Sequence, residues 1–226
     1  MKPPSQESGS PFRVTWDAWT GPGLDDWRAW TPEQAAAILS GFDRPWCVVG
    51  GWAADLAHGC MTREHEDLEI AILAADFPAM RDYLRDYRLY TVGDGHVTLQ
   101  ADERDQRPPD THQNWVLDER ARAWRMDVMV EPGDENAWVF RRDQRVTAPR
   151  AWMVEWTPVR VPYLRLHGML LYKAKHAREK DQLDFLRAWP SLAADERAWL
   201  ADSLALVHPG HPWLSRLAAN QQPMAE

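Results

Sequence analysis

The sequence has few cysteines and no long apolar stretch. It contains two cysteines among 226 residues, Cys47 and Cys60, and their spacing fits no metal-binding motif. We interpret both as small apolar side chains in a reducing compartment rather than as a disulfide. No stretch approaches the roughly 20 apolar residues that cross a membrane. The N-terminal segment also lacks the apolar run of a secretory signal, so we expect a cytoplasmic protein.

The sequence also lacks an excess of positive charge. Its 26 Lys and Arg are outnumbered by 34 Asp and Glu, which gives a net charge of −8. A surface that binds nucleic acid or an anionic membrane needs a basic footprint, so both kinds of partner are disfavoured. An acidic surface suits a small cationic ligand. Acidity also serves solubility, so the charge alone selects no partner: we expect no membrane partner, and a nucleic acid is disfavoured.

The order of the helix and strand patterns predicts an α+β protein with three regions. Residues 1–26 are rich in Pro, Ser and Gly, which is typical of a flexible extension. Residues 27–150 alternate helix and strand patterns and predict a small mixed β-sheet core flanked by helices. Residues 151–226 predict a mainly helical C-terminal region that ends in a compact turn at residues 208–214.

Three local patterns predict element boundaries. Residues 31–34, Thr-Pro-Glu-Gln, form a capping box with proline at the first helical position. Residues 89–92 and 96–100 predict two strands of a hairpin around a Gly-Asp-Gly turn. Pro158 and Pro162 predict an irregular connector that leads into the helical region.

The segment from Asp67 to Ile72 carries acids that alternate with aliphatic residues. On a strand, Asp67 and Glu69 share one face and the aliphatic residues line the other, because strand side chains alternate with period two. Same-face neighbours lie ~6–7 Å apart, so two carboxylates can converge on one hard cation. Asp67 and Glu69 are therefore candidate metal ligands.

A diglycine precedes this acidic strand. Residues 46–49 predict a strand, Gly50 and Gly51 follow it, and a helix pattern then runs to a stop at Gly59. Glycine allows close approach of backbone N–H groups, and the N-terminal end of a helix favours an anion. Alone, a diglycine is most often a tight turn and an Asp-x-Glu strand a solvated face. Their short separation indicates a phosphate site opposite a metal site.

A third acid interrupts the apolar strand pattern of residues 124–130. Asp127 points away from the apolar residues on either side of it, and an acid is costly to bury there without a partner. A salt bridge at a strand edge would satisfy it. A third carboxylate that completes the metal site would also do so, and the acid pair upstream favours this second interpretation.

These motifs resemble the signature of the aminoglycoside and lincosamide nucleotidyltransferases, which belong to the DNA-polymerase-β-like superfamily. The aminoglycoside 2″-adenylyltransferase-like branch is the most similar. The resemblance lies in Gly50-Gly51-Trp52, Asp55, Gly59, Thr62-Arg63, His65, Asp67-Leu68-Glu69-Ile70, residues 124–128, 138–143, 161–164 and 170–175, Lys180-Asp181 and residues 208–214. It implies Mg²⁺-dependent transfer of a nucleoside monophosphate, AMP from ATP, to a hydroxyl group. The acceptor that it implies is small and cationic, such as an aminoglycoside- or lincosamide-like compound.

The resemblance also implies roles for individual residues. Asp67 and Glu69 would bind Mg²⁺, and Asp127 would complete the metal site and act as general base, so that all three are catalytic. The turn at residues 50–51 would hold the triphosphate. Arg63 would contact a phosphate, although a surface ion pair is an equal alternative.

Lysines of the helical region complete the predicted nucleotide site. The resemblance places positive charge near the nucleotide, which indicates Lys173, Lys175 and Lys180. Lys173 and Lys180 are seven residues apart and would share one face of a helix. Alternatively, Asp181 and Asp184 pair with these lysines and the role is structural.

Two positions depart from the family pattern. Close relatives usually carry aspartate where this chain has Glu69, and the extra methylene moves the carboxylate oxygen by about 1.5 Å. Antibiotic-modifying relatives often carry Pro-Glu where this chain has Leu166-His167, which bears on the helix start and on substrate recognition. Two other functions remain open: nucleotidyl transfer to a protein or RNA of the toxin–antitoxin type, and a catalytically inactive nucleotide-binding relative.

Overall fold

The structure, a computed structural model, describes residues 13–14, 22–93, 96–99 and 111–219. Most of the predicted extension over residues 1–26 lies outside these ranges. The chain forms two compact units. Unit 1 comprises Met1–Trp46 and His65–Glu131, and unit 2 comprises Cys47–Glu64 and Pro132–Glu226. The predicted regional boundaries at residues 26 and 150 stay predictions.

The described residues contain strands and helices throughout both units. In chain order the elements are β1 (Arg13–Val14), α1 (Pro32–Ile38), β2 (Trp46–Val48), α2 (Gly50–His58), β3 (Glu69–Leu73), α3 (Phe77–Tyr83), β4 (Arg88–Gly93), β5 (His96–Leu99), β6 (Gln113–Asp118), β7 (Ala123–Glu131), β8 (Ala137–Val139), β9 (Thr147–Pro149), α4 (Arg150–Met153), β10 (Val154–Trp156), β11 (Pro162–Leu164), α5 (Leu166–Ala174), α6 (Glu179–Ala188), α7 (Ala194–Val207) and α8 (Trp213–Ala219).

Unit 1 is built on a mixed sheet in the strand order β1-β5-β4-β6-β7-β3. The β1–β5 and β3–β7 pairs are parallel, whereas β4–β5, β4–β6 and β6–β7 are antiparallel. The antiparallel β4–β5 pair confirms the predicted hairpin. The mixed sheet with its helices confirms the predicted α+β class.

Helix α1 begins as its sequence pattern predicts. The backbone N–H of Gln34 donates to Thr31 Oγ1 at 3.3 Å, and the N–H of Thr31 donates to Gln34 Oε1 at 3.0 Å. Two N–H groups that the helix itself cannot satisfy therefore receive side-chain acceptors. The α-helix ends at Ile38, and a 3₁₀ turn carries the chain to Gly41.

An aromatic cluster fixes β7 against its neighbours in unit 1. Trp124 is fully buried, and its ring lies 5.3 Å from the rings of both Tyr90 and Trp115. Its indole N–H donates to the carbonyl of Gly23 at 2.9 Å. Because Trp124 lies three residues before Asp127 on the same strand, this packing also sets the position of the predicted catalytic acid.

Unit 2 contains a strand hairpin that sequence reasoning missed. Strands β10 and β11 pair antiparallel, and Tyr163 of β11 pairs with Val48 of β2 in parallel. Pro158 and Pro162 suggested an irregular connector instead. The ladder tolerates Pro162 because it is the first residue of its strand, opposite Trp156, where a missing N–H is least costly.

Helices form most of the rest of unit 2, as predicted. Helix α5 contacts α2, α6 and α7. The predicted compact turn is right for the stretch up to Pro212, but Trp213 begins helix α8. The ring of Trp213 stacks on Phe185 at 4.2 Å, and its indole donates to Gln182 Oε1 at 2.7 Å, which anchors this short helix.

Cys47 is buried, Cys60 is exposed, and both are free thiols. Within the described ranges, no helix combines the length and the apolar character needed to cross a bilayer.

Replacing Trp124 should destabilise the protein far more than replacing an exposed tryptophan. Trp124→Phe removes buried volume and leaves the Gly23 carbonyl without its indole donor, so we expect a loss of about 2–4 kcal/mol in the free energy of unfolding. Trp156 is 51% exposed, and Trp156→Phe should change stability by less than about 0.5 kcal/mol. Urea unfolding measures both, and equal losses would contradict the packing described here.

Candidate active site

Two of the predicted acids lie at the start of β3 in unit 1. Glu69 is the first residue of the strand and is half-buried, and Asp67, two residues earlier, is exposed. Leu68 and Ile70 are fully buried, so the burial alternates as predicted over residues 67–70, whereas Ala71, Ile72 and Leu73 are all buried. The strand begins at Glu69 rather than at Asp67, and the Asp127 N–H donates to the Leu68 carbonyl at 2.8 Å, so the backbone pairing reaches Leu68.

The third predicted acid lies beside them. Strands β3 and β7 pair in parallel with Glu69 opposite Asp127. Residues opposite each other in a parallel pair project to the same face, on strands ~4.8 Å apart. Glu69 and Asp127 therefore share a face of the sheet. Asp67 precedes the strand, and its charge acts on Asp127. The strand register thus sets Glu69 beside Asp127, and the joint role of the three acids as metal ligands stays a prediction.

Asp127 is buried and held by three donors from β6. Gln113 Nε2 donates to Oδ2 at 2.8 Å, and the backbone N–H of Asn114 donates to Oδ1 at 3.1 Å. The side chain of Trp115 makes a third hydrogen bond. Sequence reasoning missed all three residues. Their role depends on the β6–β7 register, in which Trp115 lies opposite Asp127, and no local pattern encodes it.

Burial is the largest influence on the ionisation of Asp127. The pKa of this carboxyl is raised from 3.8 to about 7, mainly by burial and to a smaller extent by the charge of Asp67. The hydrogen bonds from Gln113, Asn114 and Trp115 oppose the increase, because they stabilise the charged form. Without a cation, Asp127 therefore exchanges its proton near neutral pH.

The donor chemistry of this site fits magnesium, with part of the coordination left to other groups. Mg²⁺ prefers carboxylate oxygens, and it usually takes only one or two from the protein, with substrate phosphates and water completing the octahedron. Asp67, Glu69 and Asp127 supply such oxygens. In the part of the chain that the structure describes, however, no three His, Cys, Asp or Glu side chains are gathered closely enough to hold an ion by themselves.

The diglycine of unit 2 starts helix α2. Gly50 has a φ of +66°, a left-handed conformation that glycine adopts without steric cost, which explains glycine at this position. Val49 is the N-cap and its side chain makes no capping hydrogen bond. The first turn of α2 therefore begins without a side-chain cap, as suits an anion-binding helix start. Gly59, with a φ of +69°, ends the helix as predicted.

The loop after α2 is tied back to the helix. Thr62 Oγ1 donates to Oδ1 of the buried Asp55 at 2.5 Å, so two residues of the family signature form one local contact. Arg63 follows directly and is partly exposed. One of its guanidinium nitrogens, Nη1, donates to the Glu64 carbonyl at 3.0 Å.

The three predicted lysines have different environments in unit 2. Lys173, in α5, lies 2.7 Å from Asp184 Oδ2 and 3.5 Å from Asp181 Oδ1, and both acids are buried. This geometry is that of the structural alternative, in which the acids of α6 pair with the lysine. Lys175 and Lys180 are exposed.

The expectation that Lys173 and Lys180 share a helix face is wrong. Helix α5 ends at Ala174 and α6 begins at Glu179. Ala177, with a φ of +44°, turns the chain between the two helices, so the seven-residue spacing carries no common face.

The position where the chain departs from Pro-Glu is enclosed. Leu166 is the first residue of α5, so a helix starts here without proline. His167 is fully buried, with Nδ1 3.2 Å from Glu196 Oε1 and Nε2 3.1 Å from Met153 Sδ. Burial lowers the pKa of His167 to about 4 against the opposing charge of Glu196, so the ring is neutral at pH 7. An enclosed ring cannot touch a substrate.

Removing the buried lysine should be costly. Lys173→Met leaves Asp184 buried without its cation, and we expect a loss of about 3–5 kcal/mol in the free energy of unfolding. Lys175→Met, two residues away and exposed, is the matched control and should cost less than about 0.5 kcal/mol. If chemical unfolding finds the two variants equally stable, Lys173 does not hold α6 through its acids.

Asp127 should make the stability of the metal-free protein depend on pH. Its pKa is raised from 3.8 to about 7, so the folded state binds this proton more tightly than the unfolded chain does. The resulting stabilisation is complete below pH 3.8 and is lost as the pH rises through about 7. In EDTA, Asp127→Asn should therefore gain at least about 1 kcal/mol relative to the unsubstituted protein between about pH 4.5 and about pH 8.

Asp134→Asn is the control for this titration. Asp134 is fully exposed, and hydrogen bonds from the backbone of Ala137 and Asn136 lower its pKa, so it is already ionised throughout that range. Its unfolding curves should stay parallel to those of the unsubstituted protein. Parallel curves for Asp127→Asn as well would contradict a raised pKa at Asp127.

Comparison with known proteins identifies the family. The family model described as aminoglycoside-2″-adenylyltransferase matches residues 33–187, more than half of the chain. No curated protein matches the sequence significantly.

Among solved structures, two of the antibiotic-resistance factor ANT(2″)-Ia and one of the lincosamide adenylyltransferase LnuA are similar. The solution structure of ANT(2″)-Ia shares 16% identity over 82% of this chain and 90% of its own, with a TM-score of 0.46. The crystal structure of ANT(2″)-Ia with adenylyl-2″-tobramycin shares 16% identity over 77% of this chain and 95% of its own, with a TM-score of 0.48. Lincomycin-bound LnuA shares 16% identity over 66% of this chain and 89% of its own, with a TM-score of 0.44. The family match alone is decisive: the chain belongs to the aminoglycoside-2″-adenylyltransferase family and is a nucleotidyltransferase.

Proposed function

We propose that the protein transfers AMP from ATP to a hydroxyl group of a small cationic acceptor, an aminoglycoside- or lincosamide-like compound. The observation that carries this proposal is the pairing of Glu69 with Asp127 on parallel strands, with the charge of Asp67 acting on Asp127. A nucleotidyl transfer needs such a group of carboxylates, because it must hold divalent cations against the phosphates of the donor.

Asp67, Glu69 and Asp127 are the proposed ligands of Mg²⁺. When bound, the metal supplies charge neutralisation on the phosphate oxygens and alignment of the attacking and leaving groups. Glu69 has the longest side chain of the three, so its carboxylate can adjust most easily. Asp67, which is exposed, is free to rotate, whereas Asp127 is fixed by its hydrogen bonds to β6.

Asp127 is the proposed general base. It accepts the proton of the acceptor hydroxyl as that oxygen attacks the α-phosphate of ATP, and pyrophosphate leaves. A base works best when its pKa lies near the working pH, and burial brings the pKa of Asp127 to about 7. Positive charge in the site favours the ionised form of this carboxyl, which is the form that takes a proton.

The triphosphate is the proposed ligand of the helix start in unit 2. Gly50 and Gly51 offer backbone N–H groups in the first turn of α2. Arg63, Lys175 and Lys180 are accessible cations that can contact phosphate oxygens. Lys173 remains a predicted nucleotide contact, but its pairing with Asp184 supports a role in holding α6 against α5.

The family description and the charge of the chain support the nature of the acceptor. The family is named for transfer of adenylate to the 2″ position of aminoglycosides, which are polycations. A net charge of −8 favours the approach of a cation through long-range attraction. We further propose that the protein acts in the cytoplasm, where ATP is available and its two free thiols stay reduced.

The test is release of pyrophosphate from ATP and Mg²⁺ in the presence of aminoglycosides, lincosamides or simple amino sugars. We expect release with one acceptor class. Asp127→Ala should reduce it by about 10²–10⁴-fold, the range for loss of a general base. Asp67→Asn should abolish transfer without unfolding the protein, because Asp67 is exposed.

Asp43→Asn is the matched control, since the carboxylate of Asp43 is 84% exposed and pairs only with the neighbouring Arg44 among the described residues. It should leave the rate unchanged. Turnover retained in Asp67→Asn would remove the acid pair from the mechanism. Adenylate found on a co-expressed protein or RNA, and on no small molecule, would reassign the acceptor.

A further inference from the structure

Three consecutive residues of β6 all donate hydrogen bonds to one carboxylate. Gln113 contacts Oδ2 of Asp127 at 2.8 Å, the backbone of Asn114 contacts Oδ1 at 3.1 Å, and the Trp115 side chain adds a third bond. An ionised carboxylate offers about four acceptor positions. Three donors therefore leave one direction in which Asp127 can meet a metal ion or a substrate hydroxyl.

Two of these donors cannot move without moving the sheet. The N–H of Asn114 belongs to the backbone, and its side chain is fully buried. The amide Nδ2 of Asn114 donates to the Val128 carbonyl at 3.0 Å, and its Oδ1 accepts from Thr91 Oγ1 at 3.4 Å. Trp115 is packed against Trp124 and Trp27 at 5.3 and 5.1 Å. Both donors thus hold Asp127 from rigid positions.

Gln113 is different because its donor sits at the end of a flexible side chain. The residue is half-buried at the first position of β6, and its amide reaches the oxygen that the Asn114 backbone does not bind. With Oδ1 held by the backbone, the contact of Gln113 at Oδ2 helps to fix the rotation of the carboxylate plane. That rotation sets where the remaining lone pair points.

We propose that Gln113 is a positioning residue for the nucleotidyl transfer. Its hydrogen bond to Oδ2 keeps the Asp127 carboxylate in the orientation that accepts the proton of the acceptor hydroxyl. The proposal rests on the function proposed above. It assigns no contact between Gln113 and a substrate, so its loss changes the chemical step and leaves the binding of ATP and acceptor intact.

The test replaces Gln113 with methionine, which keeps the length of the side chain and removes the donor. A misplaced reacting group can cost about 10²-fold, so Gln113→Met should lower kcat by about 10- to 100-fold. The KM values for ATP and for the acceptor should stay within about twofold of the original values. A residue that only supports the fold would instead lower the yield of active protein or change these parameters together.

Gln34→Met is the matched control in the same unit. Gln34 belongs to the capping box of α1 and contacts Thr31, so this variant loses a structural hydrogen bond of a glutamine without touching Asp127. It should lower stability slightly and leave kcat unchanged. If Gln113→Met keeps kcat within about twofold, or loses ATP binding in proportion to kcat, the positioning role is wrong.

A second measurement separates this proposal from the proposed function. Gln113→Met, Asp127→Asn and the double variant form a cycle whose unfolding is followed in urea without metal or nucleotide. Non-additive changes in the free energy of unfolding show that Gln113 and Asp127 interact. If no acceptor supports transfer but the changes are non-additive, only the function falls. Additive changes overturn the positioning role, whatever the enzyme does.

Discussion

The parallel pairing of β3 with β7 is the constraint on which the acidic site of unit 1 depends. It sets Glu69 opposite Asp127 and directs both side chains to one face of the sheet. A shift of one residue in this register would send Asp127 to the opposite face, because strand side chains alternate. The buried aliphatic residues of β3 and the packing of Trp124 oppose such a shift, since it would expose them. The hydrophobic pattern of the two strands therefore determines the geometry of the carboxylates, although it takes no part in the chemistry.

Each unit buries charge, and the two solve the problem in different ways. Asp127 has no described cation beside it, and three hydrogen-bond donors only partly offset its burial, so the pKa of its carboxyl rises to about 7. Asp184 is equally enclosed but faces the Lys173 ammonium at 2.7 Å. A paired buried charge stabilises one conformation and is expensive to break. An unpaired one remains available to a proton or a cation. Both residues are buried aspartates, but Asp127 can exchange a proton or meet a cation, whereas Asp184 forms a structural ion pair with Lys173.

The parts of this site that sequence predicts are those encoded over a few residues. Alternation placed Asp67 and Glu69 on one face, glycine marked both ends of α2, and the capping box located the start of α1. Asp127 was predicted because an acid in an apolar strand is costly to bury without a partner. Gln113 and Asn114 carried no such signal, since a polar residue at a strand start is ordinary and its partner depends on the register of β6 with β7. The β10–β11 hairpin was missed for a related reason: whether a proline breaks a strand depends on the ladder position it occupies.

The length of the Glu69 side chain affects the geometry of this acidic site. The backbones of Glu69 and Asp127 are fixed by the strand pair, and the Asp127 carboxylate is fixed again by its donors from β6. The distance between these two carboxylates can therefore change only through the side chain of Glu69. An extra methylene extends the reach of Glu69 by about 1.5 Å compared with an aspartate at this position, and it adds one rotatable bond. Under the proposed function, Asp127 would be a base held in place by β6, and Glu69 would be a metal ligand with a longer reach than aspartate.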